Sequence, residues 1–225
     1  MLGTGDELVS PGSTPGLAEI VYSNGFALLA MARHEGAEVI DLGIAPDRLD
    51  ETIAAVRRAR TLDVDVLVTS GGASVGDYDL VQSAFTAEGL RLSFWKIALR
   101  PGRPLMHGRI RDMQVLGLPG NPVSAYVCAV LFLIPLIRRL TGRTELSLPL
   151  ETAPLGQALP ANDERADYMR ASLRPSGAGA TVYPFPLQDS SMVAPLAEAH
   201  CLLVREPFAP PAAIGEACNI IRLQG

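Results

Sequence analysis

Up to about residue 147, the apolar positions of this chain alternate between a helical period and short strand-like runs. Leu28, Leu29 and Ala32 form a helical stripe, with Asn24 placed as its N-cap and Gly36 closing it. Ala37 to Leu42 reads as a short strand. Asp47 can cap a second helix, with Leu49, Ile53 and Val56 inward and Arg57 and Arg58 near its end. A valine-rich strand from Val64 to Val68 then runs into a glycine-rich loop, and a helix follows over Leu80 to Ala87. Leu90 to Leu99 alternates as a further strand, and Met113 to Leu118 is another. Asn121 and Pro122 can open a helix that runs through Phe132 and Leu133 to Leu140, with Pro135 kinking it and Gly142 past its end. This β-α-β-α-β alternation predicts right-handed crossovers and a largely parallel sheet covered on both faces. In such folds ligands lie at the carboxyl ends of the strands.

From Pro149 onward the texture changes, and ten of the eighteen prolines fall there. The segments Tyr168 to Leu173, Thr181 to Tyr183, Cys201 to Val204 and Ala217 to Leu223 read as short strands of a small β domain, a barrel or sandwich. The boundary falls near Ser147, giving domains over 1–147 and 148–225. The chain opens in mid-motif, with the loop Gly3 to Glu7 preceded by hardly any strand.

Composition narrows the function classes. Of the 225 residues, 48% are hydrophobic and 19% charged, a globular balance. A formal charge of -5 argues against nucleic acid as a partner, so any anionic substrate must be held by local cations. Cys128, Cys201 and Cys218 are an odd number without a CxxC spacing and read as buried or incidental thiols in a reducing compartment. His34, His107 and His200 form no metal spacing. The start carries no secretory signal, and the apolar run from Val123 to Ile137 is short for a membrane span and contains Ser124 and Pro135. The expectation is a soluble, cytoplasmic protein, with no membrane contact.

Three loops carry candidate chemistry. Ser70-Gly71-Gly72-Ala73-Ser74-Val75-Gly76-Asp77-Tyr78-Asp79 joins three glycines, two serines of its first five residues and two carboxylates. Converging amides there suit a phosphate, and Asp77 and Asp79 suit a divalent cation beside it. A tight βα turn with an acidic helix start is the plainer reading. Arg100-Pro101-Gly102-Arg103-Pro104 holds two guanidiniums on a fixed turn, with Lys96 nearby, either as oxyanion ligands or as solvated surface charge. Pro119-Gly120-Asn121-Pro122 is an ordinary helix start that also presents free amides to an anion.

Together with Thr4-Gly5-Asp6-Glu7-Leu8 and Gly117-Leu118, these loops resemble the molybdopterin molybdenumtransferase family, the MoeA proteins and the C-terminal domain of gephyrin. The resemblance covers essentially the whole chain but only the C-terminal half of a family member. It implies an α/β fold, a three-layer MogA/MoaB-like molybdopterin-binding domain, followed by a small all-β, barrel-like domain. It also implies insertion of molybdate into adenylylated molybdopterin, with Mg²⁺ assisting and AMP released. Carried over by position, Glu7, Asp47, Asp79, Lys96 and Arg100 are the catalytic candidates, and Glu7, Asp77 and Asp79 the metal ligands. Thr4, Gly5, Asp6, Ser70, Gly71, Gly72, Ser74, Gly76, Arg103, Pro119, Gly120, Asn121, Arg170 and Ser190 are the candidates for holding the pterin nucleotide. The plainer readings are that Asp47 is also a good helix cap and that Arg170 is strand surface.

The chain departs from the family at Arg100 and Arg103, where lysines are usual, at Asp189 for a glycine, and at His200-Cys201 for Asn-Gly. Partners implied are the pterin nucleotide, molybdate, a second copy in a homodimer and other molybdenum cofactor biosynthesis proteins. In the family the N-terminal half contributes to catalysis and to the dimer. Two alternatives therefore stand beside the transferase: a non-catalytic molybdopterin-binding module, and a MogA-like adenylyltransferase, against which the Thr4-to-Leu8 motif and the β domain count.

Overall fold

The valine- and leucine-rich runs become the centre of a six-stranded sheet in the computed structural model, which describes residues 1–71, 80–177 and 179–223. Two units divide the chain: Met1–Ile97 with Gly102–Leu146, and Ala98–Pro101 with Ser147–Gly225.

In chain order the first unit contains β1 (Leu2–Thr4), β2 (Leu8–Val9), β3 (Ile20–Val21), α1 (Asn24–His34), β4 (Ile44–Ala45) and α2 (Leu49–Thr61). There follow β5 (Val66–Ser70), α3 (Leu80–Ala87) and β6 (Arg91–Trp95); β7 (Leu99–Arg100) belongs to the second unit. The first unit resumes with β8 (Met106–Ile110), β9 (Met113–Leu118), α4 (Pro122–Cys128) and, after a π-helical segment at Ala129–Leu133, α5 (Ile134–Leu140). The sheet order is β4-β1-β5-β9-β8-β6. Its first four strands are parallel, whereas β8 is antiparallel to both β9 and β6.

Strand alternation sends Leu67, Met113 and Val115 to one face. There they pack with Val56 and Ala59 of α2 and Val81 and Phe85 of α3. Helix α1 packs against α4 and α5. That arrangement gives three layers, and β4 and β5 lie on opposite sides of β1. The chain thus leaves β1 in one direction and returns to β5 in the other, so the crevice at their carboxyl ends is a topological switch point.

Several local expectations shift. Helix α1 uses the predicted stripe, with Leu28, Leu29 and Ala32 buried, and Gly36 lies past its end at φ 90°. Asn24, however, is the first helical residue and makes no cap. The strand expected over Ala37 to Leu42 is not one; that segment hydrogen-bonds to Met1, and ladder pairing with β1 begins only at Ile44. At α2 the N-cap position is Arg48, not Asp47, and Leu49 is exposed while Thr52, Val56 and Ala59 are buried. The run from Leu90 to Leu99 is interrupted by Lys96, whose φ of 66° is incompatible with a continuous strand. Strand β8 was hidden because Met-His-Gly-Arg-Ile carries a central glycine. Gly108 is needed there, since a Cβ would meet the Arg91 carbonyl.

The helix from Pro122 to Leu140 spans 19 residues and by length and apolarity could cross a membrane, but 56% of its most apolar stretch is buried within the protein, as in a core helix. Pro135 lacks an N–H and would clash with the preceding turn; the wider π-helical turn just before it accommodates this.

In the second unit, β10 (Leu150–Pro154), β11 (Ala166–Ser176), β12 (Gly179–Pro184), β13 (Cys201–Arg205) and β14 (Ala217–Arg222) form an antiparallel sheet ordered β10-β14-β13-β11-β12. A short helix, α6 (Val193–Ala197), precedes β13. A bridge between Leu155 and Val182, with Gly156 N–H donating to the Val182 carbonyl at 2.8 Å, joins the end of β10 to β12. The sheet therefore closes into a small barrel, which satisfies its edges. Leu155, Ala171, Val182, Cys201, Leu203 and Ile220 fill it, and β7 pairs in parallel with the start of β11. All three cysteines are free and buried.

Candidate functional site

At the carboxyl end of β1 the chain turns at Gly5, whose φ of 144° favours glycine. Glu7 folds its carboxylate back over this glycine, in the place a Cβ would take. Gly5 N–H donates to the Ala45 carbonyl at 3.2 Å, and Asp6 Oδ1 accepts from the Asp47 N–H at 2.9 Å. Asp6, Glu7 and Asp47 are thereby gathered on the loops that follow β1 and β4, all exposed. Asp6 spends one carboxylate oxygen on the Asp47 backbone, so it orders the acidic loops.

The end of β5 meets the end of β9. Gly71, at φ 102°, donates its N–H to the Leu118 carbonyl at 3.4 Å, and a Cβ on it would strike the Thr4 carbonyl. Gly120 approaches so closely that its own Cβ would rest 3.5 Å from Gly71 Cα. Asn24 Nδ2 donates to Ser70 Oγ at 2.8 Å and to the Gly120 carbonyl at 2.7 Å. The Ser70 hydroxyl, 1% exposed, in turn faces the Pro119 carbonyl at 3.5 Å. Sequence reasoning placed Asn24 as a cap and missed this tie; nothing local distinguishes an asparagine that accepts from its own helix from one that donates across the sheet.

Asn121 takes the N-cap position of α4, Pro122 follows in its first turn, and the Asn121 carbonyl accepts from Ala125. Pro119, Gly120 and Asn121 thus stand beside Gly71, at the start of a long helix whose dipole favours anions. The hydroxyls of Thr4 and Thr69 are buried without a hydrogen-bond partner among the described residues. Gly72, Ser74, Gly76, Asp77 and Asp79 lie outside the described residues. Among the described residues no three His, Cys, Asp or Glu side chains could together hold a metal ion.

The cations divide. Lys96 and Arg103 belong to the first unit and Arg100 to the second. Lys96 is exposed, in a left-handed turn, with Nζ 4.2 Å from the Trp95 ring centroid. Arg103 is exposed and its carbonyl accepts from the N–H groups of Ile97 and Leu105. Arg100 is engaged on all sides, donating to Asp167 at 2.6 and 3.1 Å, to Asp163 at 3.0 Å and to Asn162 at 3.2 Å. Its hydrogen bond to Asp167 raises its pKa. The Arg165 side chain holds the Asp163 carboxyl down at about 2.

Arg170 is 1% exposed, neither surface nor free. Its guanidinium donates to the carbonyls of Met192, Asp189 and Leu187 at 3.0, 2.9 and 3.3 Å. Burial lowers its pKa, with Asp189 opposing. Gln188 bonds both backbone groups of Arg170, and Asp189 receives the Ser191 N–H and hydroxyl. Arg170 therefore clamps the 187–192 loop that carries Ser190. A separate cleft of about 620 Å³, lined by Arg57, Arg60, Asp63, Asp65, Arg111 and Asp112, lies at the opposite, amino-terminal ends of β5 and β9.

This geometry is that of an α/β domain whose glycine turns meet at the carboxyl ends of its strands, in a chain that also carries a small β barrel. Residues 1–139 match the family described as the probable molybdopterin binding domain, and residues 152–223 match the MoeA C-terminal region (domain IV). The chain belongs to this molybdopterin-binding family, with the two-domain pairing of the MoeA proteins. It is 32% identical to a molybdopterin molybdenumtransferase of Haemophilus influenzae over 98% of this chain and 54% of the relative. It is 33% identical to one of Bacillus subtilis over 91% of this chain and 47% of the relative. A solved molybdopterin biosynthesis MoeA protein from Pyrococcus horikosii superposes with a TM-score of 0.82 at 28% identity, over 100% of this chain and 54% of that one. The chain spans about half the length of the curated relatives it matches.

Proposed function

We propose that this chain binds adenylylated molybdopterin at the carboxyl ends of β1, β5 and β9 and serves the insertion of molybdate into its dithiolene, with release of AMP. The junction of Gly71 with Gly120, beside the start of the Asn121 helix, carries this reading. Two backbones meet there without side chains between them, so a phosphoanhydride can approach them closely beside the helix dipole. The match to the MoeA C-terminal region favours molybdate insertion over adenylylation of the pterin.

In the reaction the two dithiolene thiols pass their protons to one oxo group of molybdate, which leaves as water as two Mo–S bonds replace the Mo=O bond, and attack of water on the phosphoanhydride frees AMP. The chain's part is to hold the pyrophosphate and to orient the dithiolene, while Lys96 and Arg103 offset the oxyanion charge. Arg100 and Arg170 are committed within the β unit, where Arg170 holds the loop that carries Ser190. The exposed carboxylate of Glu7 at the mouth of the β1 loop is a hard oxygen donor of the kind Mg²⁺ takes, and with Asp77 and Asp79 it would hold that ion. Mg²⁺, when bound, neutralises charge on the phosphates. Asp47 and Asp6 shape the same acidic rim. The protein works in the cytoplasm as a homodimer alongside other molybdenum cofactor biosynthesis proteins, with a binding domain over 1–147 and a β domain over 148–225.

The deciding experiment is calorimetric titration of the chain with adenylylated molybdopterin, with and without Mg²⁺, followed by AMP release on adding molybdate. Magnesium-enhanced binding and molybdate-dependent AMP release are expected. Binding without turnover would make it a binding module, and absence of binding would overturn the proposal.

A further inference from the structure

We infer that Asn24 is a positioning residue that locks together the two turns facing the ligand, and that Ser70 acts through it rather than as a ligand contact. The inference rests on the reading of those turns as the pterin-nucleotide site. Both hydrogens of the Asn24 amide are committed, one to Ser70 Oγ at 2.8 Å and one to the Gly120 carbonyl at 2.7 Å. With its oxygen accepting from Asn24, the Ser70 hydroxyl has its own proton left for the Pro119 carbonyl at 3.5 Å. A serine buried to 1% exposure with both roles used has little left to offer a phosphate.

The tie crosses three elements: the first residue of α1, the last of β5 and the turn after β9. It also fixes a peptide plane. Because the Gly120 carbonyl faces Asn24, the Asn121 N–H of the same trans peptide points the opposite way. Rotation of that plane would turn the first amide of the helix start out of register with the Gly71 turn. Asn24 thus sets the spacing of two glycine backbones that have no side chains to space them.

The test uses the full chain with Asn24→Ala, the isosteric Asn24→Asp, Ser70→Ala and the Asn24→Ala/Ser70→Ala double variant. Three readouts are taken: titration with adenylylated molybdopterin, thermal unfolding, and hydrogen exchange at the Gly71 amide, which donates to Leu118. Asn24→Ala should weaken binding roughly tenfold while unfolding moves by only about 3 °C. Asn24→Asp should lose as much, because a carboxylate oxygen repels the Gly120 carbonyl. The double variant should bind no more weakly than Asn24→Ala, since both remove one tie. Unchanged affinity in Asn24→Ala, or losses that add fully in the double variant, would overturn the inference, the latter by marking Ser70 as a direct contact. If the wild-type chain binds no pterin nucleotide, the proposed function fails on its own. The tie is then decided by exchange: faster exchange at Gly71 in Asn24→Ala upholds it, and an unchanged rate refutes it.

Discussion

The Glu35 carboxylate is gripped by the Arg138 guanidinium through two parallel hydrogen bonds, Nε to Oε2 at 2.7 Å and Nη2 to Oε1 at 2.9 Å. Arg143 adds a third at 2.9 Å. The pair fastens the end of α1 to α5, and only 2% of the Glu35 side chain and 11% of that of Arg138 are exposed. Such a pair stabilises little over an apolar one, yet removing one partner strands a buried charge. Glu35→Gln should therefore cost about 3 kcal/mol in urea denaturation.

The same pair sets a pH dependence. The Arg138 hydrogen bond holds the Glu35 carboxyl below its ordinary value of 4.5. Its contribution is present in full above that value and is lost as pH falls through the depressed folded value. The stability gap between wild type and Glu35→Gln should shrink steadily below that ordinary value. A gap that stays constant there would remove the ion pair as its cause.

Arg100 is expected to behave as a barrel residue more than as an anion receptor. Its partners Asp163 and Asp167 already compensate its charge, and 41% of its side chain is exposed, so solvent screens the pairing. Arg100→Ala should lower the stability of the β unit by about 1 kcal/mol, and should weaken binding of adenylylated molybdopterin less than Lys96→Ala does. Calorimetric unfolding together with ligand titration of both variants checks this. A larger affinity loss for Arg100→Ala would return it to the site.

What was legible in the sequence was what local period encodes. The stripe of α1, the span of α3, the strand Met113–Leu118 and four of the five barrel strands follow from spacing and turn residues, whereas Leu150–Pro154 was not expected as a strand. Partnerships across distance were not legible. Arg100 looks like a free cation on a proline turn until residues 63 and 67 positions away close on it. Arg170 looks like strand surface until the 187–192 loop folds its carbonyls over it. The acidic loops show the reverse: Asp6, Glu7 and Asp47 were singled out individually, and the order β4-β1-β5 is what brings the first two loops together. Strand Met106–Ile110 was missed because its inward glycine carries no hydrophobic signal, although its hairpin partner was plain.

The two glycines at the β5–β9 junction should differ sharply. At Gly71 the backbone has φ 102° and an added Cβ would strike the Thr4 carbonyl, so Gly71→Ala combines strain with a backbone collision. A loss of about 2–4 kcal/mol is expected. At Gly120 an added Cβ would find ordinary contact, 3.5 Å from Gly71 Cα. Gly120→Ala should fold within about 0.5 kcal/mol of wild type while filling the approach to the amides, so its effect falls on ligand affinity. Urea denaturation and titration, run side by side, separate the two. Equal destabilisation would mean that the junction is packed for stability and not kept open.

Glu7 offers the sharpest test of the metal assignment. Its carboxylate is exposed and lies over Gly5, so replacing it with glutamine removes charge while leaving a side chain of the same size over the glycine. Packing and fold should be unaffected. An amide is a weaker ligand than a carboxylate for a hard divalent ion, so Mg²⁺ affinity should fall roughly tenfold. Binding of adenylylated molybdopterin measured without Mg²⁺ should stay the same or tighten slightly, because a like charge near the phosphates has gone. The magnesium enhancement of binding should therefore shrink from one side only. If Glu7→Gln instead weakens binding equally with and without Mg²⁺, the carboxylate is holding the pterin nucleotide or the Gly5 turn directly, and the metal must be sought on Asp77 and Asp79 alone.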